Sequence, residues 1–393
     1  MNKFFMFGDV HVLQALRTPT APAGSTLTEV LPSRLVAGLL RQTVHASERI
    51  ALSSGLARLD GLILAGSGDF QSIRHAMTSI SSHPPVSYLL QCGKIGAMEA
   101  IRQGALQSLM DSTGTQPAYV IAGGYEVHRR HRLPEASDMI AAITRPVLPP
   151  RTAADLLASR YKLSGAELDS WSQQTRQAAR NARKHLPRPT AVQDINGLLV
   201  LGEDEPAVAT PNEDKPLDIP ASAWYVAKRF APDLGDIPEI HAEAHCAPRV
   251  DGAALIFLGA SAKGAESSIA DAHARIAGIV SVDEGPASGF LAAHLAVHKV
   301  LKQAGWNAAQ LDVLEIHDRF AAQALAVAHE FSIPGERINP MGGSLVHGDA
   351  GAASGALCVG RLFHQLQHSG RRGIAVVADE SGHAVALAME GMG

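Results

Sequence analysis

The sequence predicts an α/β protein built from two similar halves, with a more polar segment inserted in the first. Three observations carry this. Short apolar runs bounded by glycine alternate with stretches of helical spacing, the mark of βαβ units and a largely parallel sheet. The alternation stops at Arg129, gives way to charged, proline-containing and amphipathic sequence up to about His245, and resumes at Asp251. Close to the C-terminus, Asn339 to Gly355 contains a paired glycine, a short apolar stretch and a second glycine-rich turn, followed by small residues. Glycines there admit positive φ or close backbone approach, and small residues let a following helix pack tightly.

Taken in order, Val10 to Leu16 reads as a strand ended by Arg17-Thr18-Pro19, and Ser33 to His45 carries Leu and Val at helical spacing. Gly61 to Ala65 and Val86 to Gln91 read as buried strands, the second followed from Gly93 to about Met110 by a helical pattern. Tyr119 to Ala122 is a further strand, expected to end at Gly123-Gly124. Ala153 to His185 is amphipathic and helical, and Pro206 to Pro220 is acidic, proline-rich and irregular. The buried-strand pattern returns at Asp251 to Leu258, again from Ile276, and at Leu311 to Ile316, Gly373 to Ala378 and Ala384 to Met389. The apolar stretch Ser344 to Val346 is read as a short strand, which would put His347 and Asp349 on one face only if alternation held through Gly348.

The chain has 393 residues, room for two or three domain-sized cores. Its 46% hydrophobic and 18% charged content are those of a well-packed globule rather than a disordered chain. The net charge of −4 provides no electrostatic footprint for nucleic acid. Three cysteines without CxxC spacing, Cys92, Cys246 and Cys358, argue against a disulfide framework or a thiolate zinc site and suit a reducing compartment. With no signal-peptide pattern at Met1 to Gly8 and no apolar run of membrane-spanning length, a cytoplasmic location is expected. Neither a Walker loop, a GxGxxG fingerprint nor a GxSxG elbow occurs. His241 and His245 stand at i, i+4 spacing, but no third ligand is nearby, and no metal site is expected.

Motifs along nearly the whole chain resemble the thiolase superfamily. Leu13 to Pro19 is similar to an opening strand ending ARTP, Ala122 to Glu126 to AGGxE, and Thr152 through Arg176 to part of the loop domain. Asp251 to Ala254 is similar to NDGAA, Gly285-Pro286 to a GP turn, Glu315 to Gln323 to NEAFAAQ, and Ala386 to Ala388 to the final ALA strand. Asn339 to Gly355 resembles NPxGGxxxxGHPxGxSG, with Asp349 where the family has its catalytic His. The resemblance implies a thiolase-like fold of layered αβαβα type: an N-terminal half at 1–264 holding a loop domain at about 127–245, and a C-terminal half at 265–393. It further implies a homodimer or homotetramer, coenzyme A or carrier-protein thioesters as substrates, no separate cofactor, and neither nucleic-acid nor membrane partners.

Cys92 follows a strand and opens a helix, where the positive end of the helix dipole favours thiolate. It resembles the acyl-accepting cysteine of thiolases. Anchoring instead on Ala100 to Gly104, similar to a family AIRxG element, would put Ser87 at that position. His317 takes the place of the family's Asn in an HDxF variant similar to sterol-carrier-protein type thiolases, and suits a general base or oxyanion donor. Asp349 would repel an oxyanion unless paired, and one arrangement is a Cys92–His317–Asp349 triad with the carboxylate orienting the imidazole. The second family cysteine, in CxGGGxGxALA, is replaced by Ala378, leaving Glu380 or His383 as substitute bases and His347 as a further candidate. Backbone N–H groups of Cys92 and Glu380 would line the oxyanion site, and Gly348, Gly382 and Phe320 are expected to contact substrate. The expected activity is acyl transfer through a Cys acyl-enzyme. The alternative is a catalytically impaired thiolase-like subunit that binds acyl-CoA or supports a partner.

Overall fold

A computed structural model describes residues 7–54, 59–67, 70–78, 80–81, 84–112, 116–128, 147–207, 237–261, 269, 272–286 and 288–393. The strands among them are β1 (Val10–Arg17), β2 (Ala21–Pro22), β3 (Leu59–Ala65), β4 (Val86–Leu90), β5 (Ala118–Glu126), β6 (Val192–Gln193), β7 (Leu199–Leu201), β8 (Val250–Ala260), β9 (Ala274–Asp283), β10 (Val313–Ile316), β11 (Arg372–Ala378) and β12 (His383–Gly391). The helices are α1 (Pro32–Ser54), α2 (Phe70–Thr78), α3 (Gly96–Asp111), α4 (Pro150–Arg160), α5 (Gly165–Ala182), α6 (Ala292–Ala304), α7 (Ala321–Phe331), α8 (Gly343–His347) and α9 (Ser354–Leu366).

One mixed sheet runs β10-β11-β12-β9-β1-β8-β5-β3-β4, with β2 added to β8. The order β1-β8-β5-β3 is repeated as β9-β12-β11-β10, and the copies meet where β1 and β9 pair antiparallel at His11–Arg275 and Val12–Ala274. Helices repeat likewise. Helices α3 and α9 pack on each other between the two halves of the sheet, α1 covers β5 and β8 outside one half, and α6 covers β9, β11 and β12 outside the other. The sheet is not largely parallel: among the described strands only β3–β4, β3–β5 and β10–β11 pair parallel, because β8, β9 and β12 run antiparallel to their neighbours. The α/β layering is the expected one. It explains the continuous apolar runs: β8 is buried along its whole length because both faces are covered.

Four local expectations need correction. Gly123 and Gly124 do not end β5 but lie inside it, because β8 passes so close that a Cβ on Gly123 would sit 2.1 Å from the Ala254 carbonyl oxygen. Helix α1 continues well past His45, to Ser54. The amphipathic stretch from Ala153 is two helices, α4 and α5. The break holds Lys162 at φ 54°, and α5 restarts at a capping box in which Ser164 and Glu167 satisfy each other's backbone N–H. Ser344 to Val346 is not a strand but part of the short helix α8, started by Gly342 (φ 109°) and Gly343 (φ 56°). Of the irregular segment 206–220, all but Pro206 and Ala207 lies outside the described residues, as do 129–146 and 208–236 of the expected loop domain and the boundary between 264 and 265.

Candidate active site

Four segments meet at one end of the sheet. Strand β4 stops at Leu90, and the chain passes through Gln91 and Cys92 into a 3-10 turn, Gly93–Ile95, that leads into α3. A Cβ on Gly96 would stand 2.8 Å from that of Ala65, so glycine lets the helix start sit against the end of β3. This turn projects Lys94 toward the hairpin between β11 and β12, where its Nζ donates to Glu380 Oε2 at 3.1 Å.

The end of β10 is held by its neighbours. His317 N–H donates to the Val376 carbonyl, and the Asn339 side chain both accepts from Ile316 N–H (2.8 Å) and donates to Ile316 C=O (3.0 Å). Asp318 Oδ1 accepts from Ser344 N–H at 2.6 Å. Burial pushes the Asp318 carboxyl up to about 7, since the Ser344 N–H, Arg361 and Asn339 only partly offset desolvation.

Asp349 is stitched to the chain before β8: its N–H donates to Pro248 C=O and its C=O accepts from Val250 N–H. Its Oδ1 accepts from His317 Nε2 (3.1 Å), Gly351 N–H (3.0 Å) and Ser354 Oγ (3.1 Å), while Arg319 Nε lies 3.5 Å from Oδ2. Burial alone would raise this carboxyl. His317, Lys94 and Arg319 outweigh it and hold the group ionised well below the usual range. A carboxylate only accepts, so Nε2 of His317 carries the proton and Nδ1, buried and without a hydrogen-bond partner among the described residues, is the second ring nitrogen. Side chains of His317, Asp349 and Arg319 are nearly sealed, at 1%, 4% and 4% exposure, whereas Lys94 and Glu380 retain 17% and 24%. Glu380 is desolvated too, but Lys94 and Arg319 pull its carboxyl below the ordinary value, which makes it a poor proton acceptor near neutrality.

The His317–Asp349 half of the expected triad is thus present, and Cys92 is not joined to it. The thiol is exposed and its Sγ makes no hydrogen bond among the described residues. Its pKa is raised, by partial desolvation and by Glu99, and not lowered as the helix start suggested. Ser87 is no substitute, since it lies within β4 opposite Leu62 and donates to Pro85 C=O.

The remaining candidates lie outside the cluster. His347 is turned away by α8 and bonds to the Met341 carbonyl. Burial and Arg361 lower its pKa to about 4, and it lines a separate small cavity of about 30 Å³ with Arg17, Asp204 and Arg361. His383 sits by Ser381, Asp283 and Asp379 at the start of β12. Phe320 is fully buried against Phe290 and His241, so it is a core residue and no substrate contact. Gly348 and Gly382 serve the backbone: a Cβ would strike Val250 at 2.4 Å in one case and the Gly285 carbonyl at 2.0 Å in the other. His241 and His245 are spent on Asp155 and Asp169, and no metal-holding cluster exists among the described residues.

Sequence reasoning missed Lys94 and Arg319. Arg319 was visible inside the HDRF motif, but no local pattern marks a lysine that will meet a glutamate 286 residues away.

Residues 270–391 match the family profile described as "Thiolase, C-terminal domain". The chain is 26% identical over 413 residues to a "Beta-ketoadipyl-CoA thiolase" of Pseudomonas knackmussii, covering 98% of this chain and 100% of that one. It is 30% identical over 243 residues to a "Probable acetyl-CoA acetyltransferase" of Escherichia coli, covering 60% and 58% of the two. In architecture it is similar to the dimeric peroxisomal thiolase of Saccharomyces cerevisiae (TM-score 0.77, 16% identity, 98% of each chain). Human mitochondrial 3-ketoacyl-CoA thiolase gives 0.75 at 19% identity, over 99% and 100%. The structural likenesses concern the fold.

Proposed function

The chain belongs to the thiolase superfamily, and from that premise we propose that it is an acyltransferase acting on acyl-CoA or acyl-carrier thioesters. The observation that carries the reading is the meeting of the α3 start, the β10 end, the Asp349 turn and the β11–β12 hairpin. These segments are joined through His317–Asp349 and Lys94–Glu380. The resemblance implies that those four segments form the acyl site.

In the proposed reaction, Cys92 accepts the acyl group. Of the three thiols it is the exposed one, while Cys358 is buried with a pKa near 12. The sealed His317–Asp349–Arg319 group supplies the buried charge of the site. Radiolabelled acetyl-CoA tests this: a labelled peptide containing Cys92 is expected, and its absence under conditions that label a two-cysteine thiolase overturns the reading.

One observation favours the alternative, an acyl-CoA-binding subunit without turnover: among the described residues the Cys92 thiol makes no hydrogen bond, and desolvation and Glu99 raise its pKa. Under that reading iodoacetamide alkylates Cys92 no faster than a free peptide thiol. Rapid alkylation in the presence of bound CoA would point to the enzyme.

A homodimer belongs to the same proposal. It is supported by β4, which among the described residues closes the sheet and pairs with β3 alone, leaving Val86 and Tyr88 61% and 50% exposed along that edge.

A further inference from the structure

We propose that Lys94 is a catalytic electrophile of this site, its ammonium donating to the carbonyl oxygen of the bound acyl thioester. The inference rests on the acyl-transfer reading and names a group that reading leaves without a task.

An ammonium has three N–H donors. Lys94 gives one to Glu380 Oε2 at 3.1 Å and makes no other side-chain hydrogen bond among the described residues. Two donors remain on a side chain that is mostly buried yet retains 17% exposure. The other nearby cation, Arg319, is almost sealed and lies against Asp349. Of these two described cations, Lys94 is therefore the one a ligand can reach.

Its setting also answers the difficulty posed by Asp349. A carboxylate close to a reacting thioester disfavours negative charge on the carbonyl oxygen. Here Asp349 is engaged by His317, Gly351, Ser354 and Arg319, and the Lys94 charge acts on it as well. Glu380 tethers the ammonium from the opposite half of the fold, so both halves fix its position before a ligand arrives. Preorganised charge of this kind stabilises an oxyanion without reorganisation at the moment of reaction.

In the transfer step, the Cys92 Sγ–carbonyl bond forms and the carbonyl π pair moves onto oxygen, where Lys94 donates. The pair then returns as the bond to the CoA sulfur breaks. The thiol proton ends on the CoA thiolate, Lys94 keeps its own proton, and nothing is oxidised or reduced.

The test compares acetyl-CoA with S-ethyl-CoA, which lacks the carbonyl oxygen, by calorimetric titration of the full chain. The wild type is expected to bind acetyl-CoA about tenfold more tightly, the scale of one charge-assisted hydrogen bond. Lys94→Met should bring the ratio to about one while leaving affinity for S-ethyl-CoA unchanged, and Lys94→Arg and Glu380→Gln should retain it. Equal wild-type affinities, or a ratio that survives in a folded Lys94→Met protein, overturn the role of Lys94 and leave acyl-CoA binding standing. The wild-type ratio decides even if Lys94→Met does not fold. If the wild type binds neither compound, the acyl-transfer reading falls, and the role of Lys94 with it.

Discussion

Replacing Asp349 by asparagine removes the charge at the centre of the cluster while preserving its shape. In the wild type, Oδ1 takes three hydrogen bonds and Oδ2 faces Arg319. Asparagine keeps one acceptor oxygen for Gly351 N–H and Ser354 Oγ, but removes the negative charge that faces the buried guanidinium of Arg319 and the His317 ring, with Glu380 still acting on Arg319. Breaking one side of a buried ion pair costs about 3–5 kcal/mol, and the retained hydrogen bonds place Asp349→Asn near the lower figure, about 3 kcal/mol. For a chain of 393 residues, an unfolding entropy of about 2 cal/mol/K per residue turns this into a fall in Tm of about 4 °C.

Calorimetry and urea unfolding of both proteins between pH 3 and 8 measure it. The Asp349 carboxyl is held below its unfolded value, so its contribution is full above about pH 4 and is lost as pH falls through the depressed folded pKa. The gap between wild type and variant should be equal at pH 7 and pH 5 and narrow below about pH 4. Equal stabilities at pH 7, or a gap that widens on acidification, would refute the electrostatic account.

Asp318 behaves oppositely. Its carboxyl is raised to about 7, so its contribution is greatest at low pH and declines as pH climbs toward 7; Asp318→Asn should remove that decline from denaturation curves taken between pH 4 and 8. Gly382→Ala places a methyl group 2.0 Å from the Gly285 carbonyl at φ 88° and should lower stability by at least about 2 kcal/mol, read as a lower urea midpoint with unchanged slope. For the proposed dimer, Val86→Lys with Tyr88→Asp should halve the mass seen by light scattering, and an unchanged mass rules out the β4 edge as the contact.

The strands were legible because the layering buries most of them on both faces, which writes each as a short apolar run; β3, β8, β11 and β12 all fall where those runs stand. Where expectation failed, a backbone detail outweighed the pattern. Gly123-Gly124 looks like a turn but answers the approach of β8. Ser344 to Val346 is too short to show a period, and two left-handed glycines started a helical turn there. The break between α4 and α5 was readable, since the Ser164-x-x-Glu167 capping box is printed in the sequence.

By itself, then, the sequence carried the two-half α/β architecture and the thiolase resemblance, and it marked His317 and Asp349 as candidates whose pairing was one of the arrangements open to them. These follow from patterns carried by neighbouring residues and from motifs in a set order. Only the tertiary structure decided what that pair joins. Cys92 stands at a helix start as its local sequence requires, yet whether a base reaches it depends on segments hundreds of residues away, and among the described residues its thiol makes no hydrogen bond. Lys94 lies two residues further on, looks like a solvated charge, and is carried by the turn to Glu380. Local sequence records what the backbone does within a turn or a strand. Which charges meet is set by long-range packing.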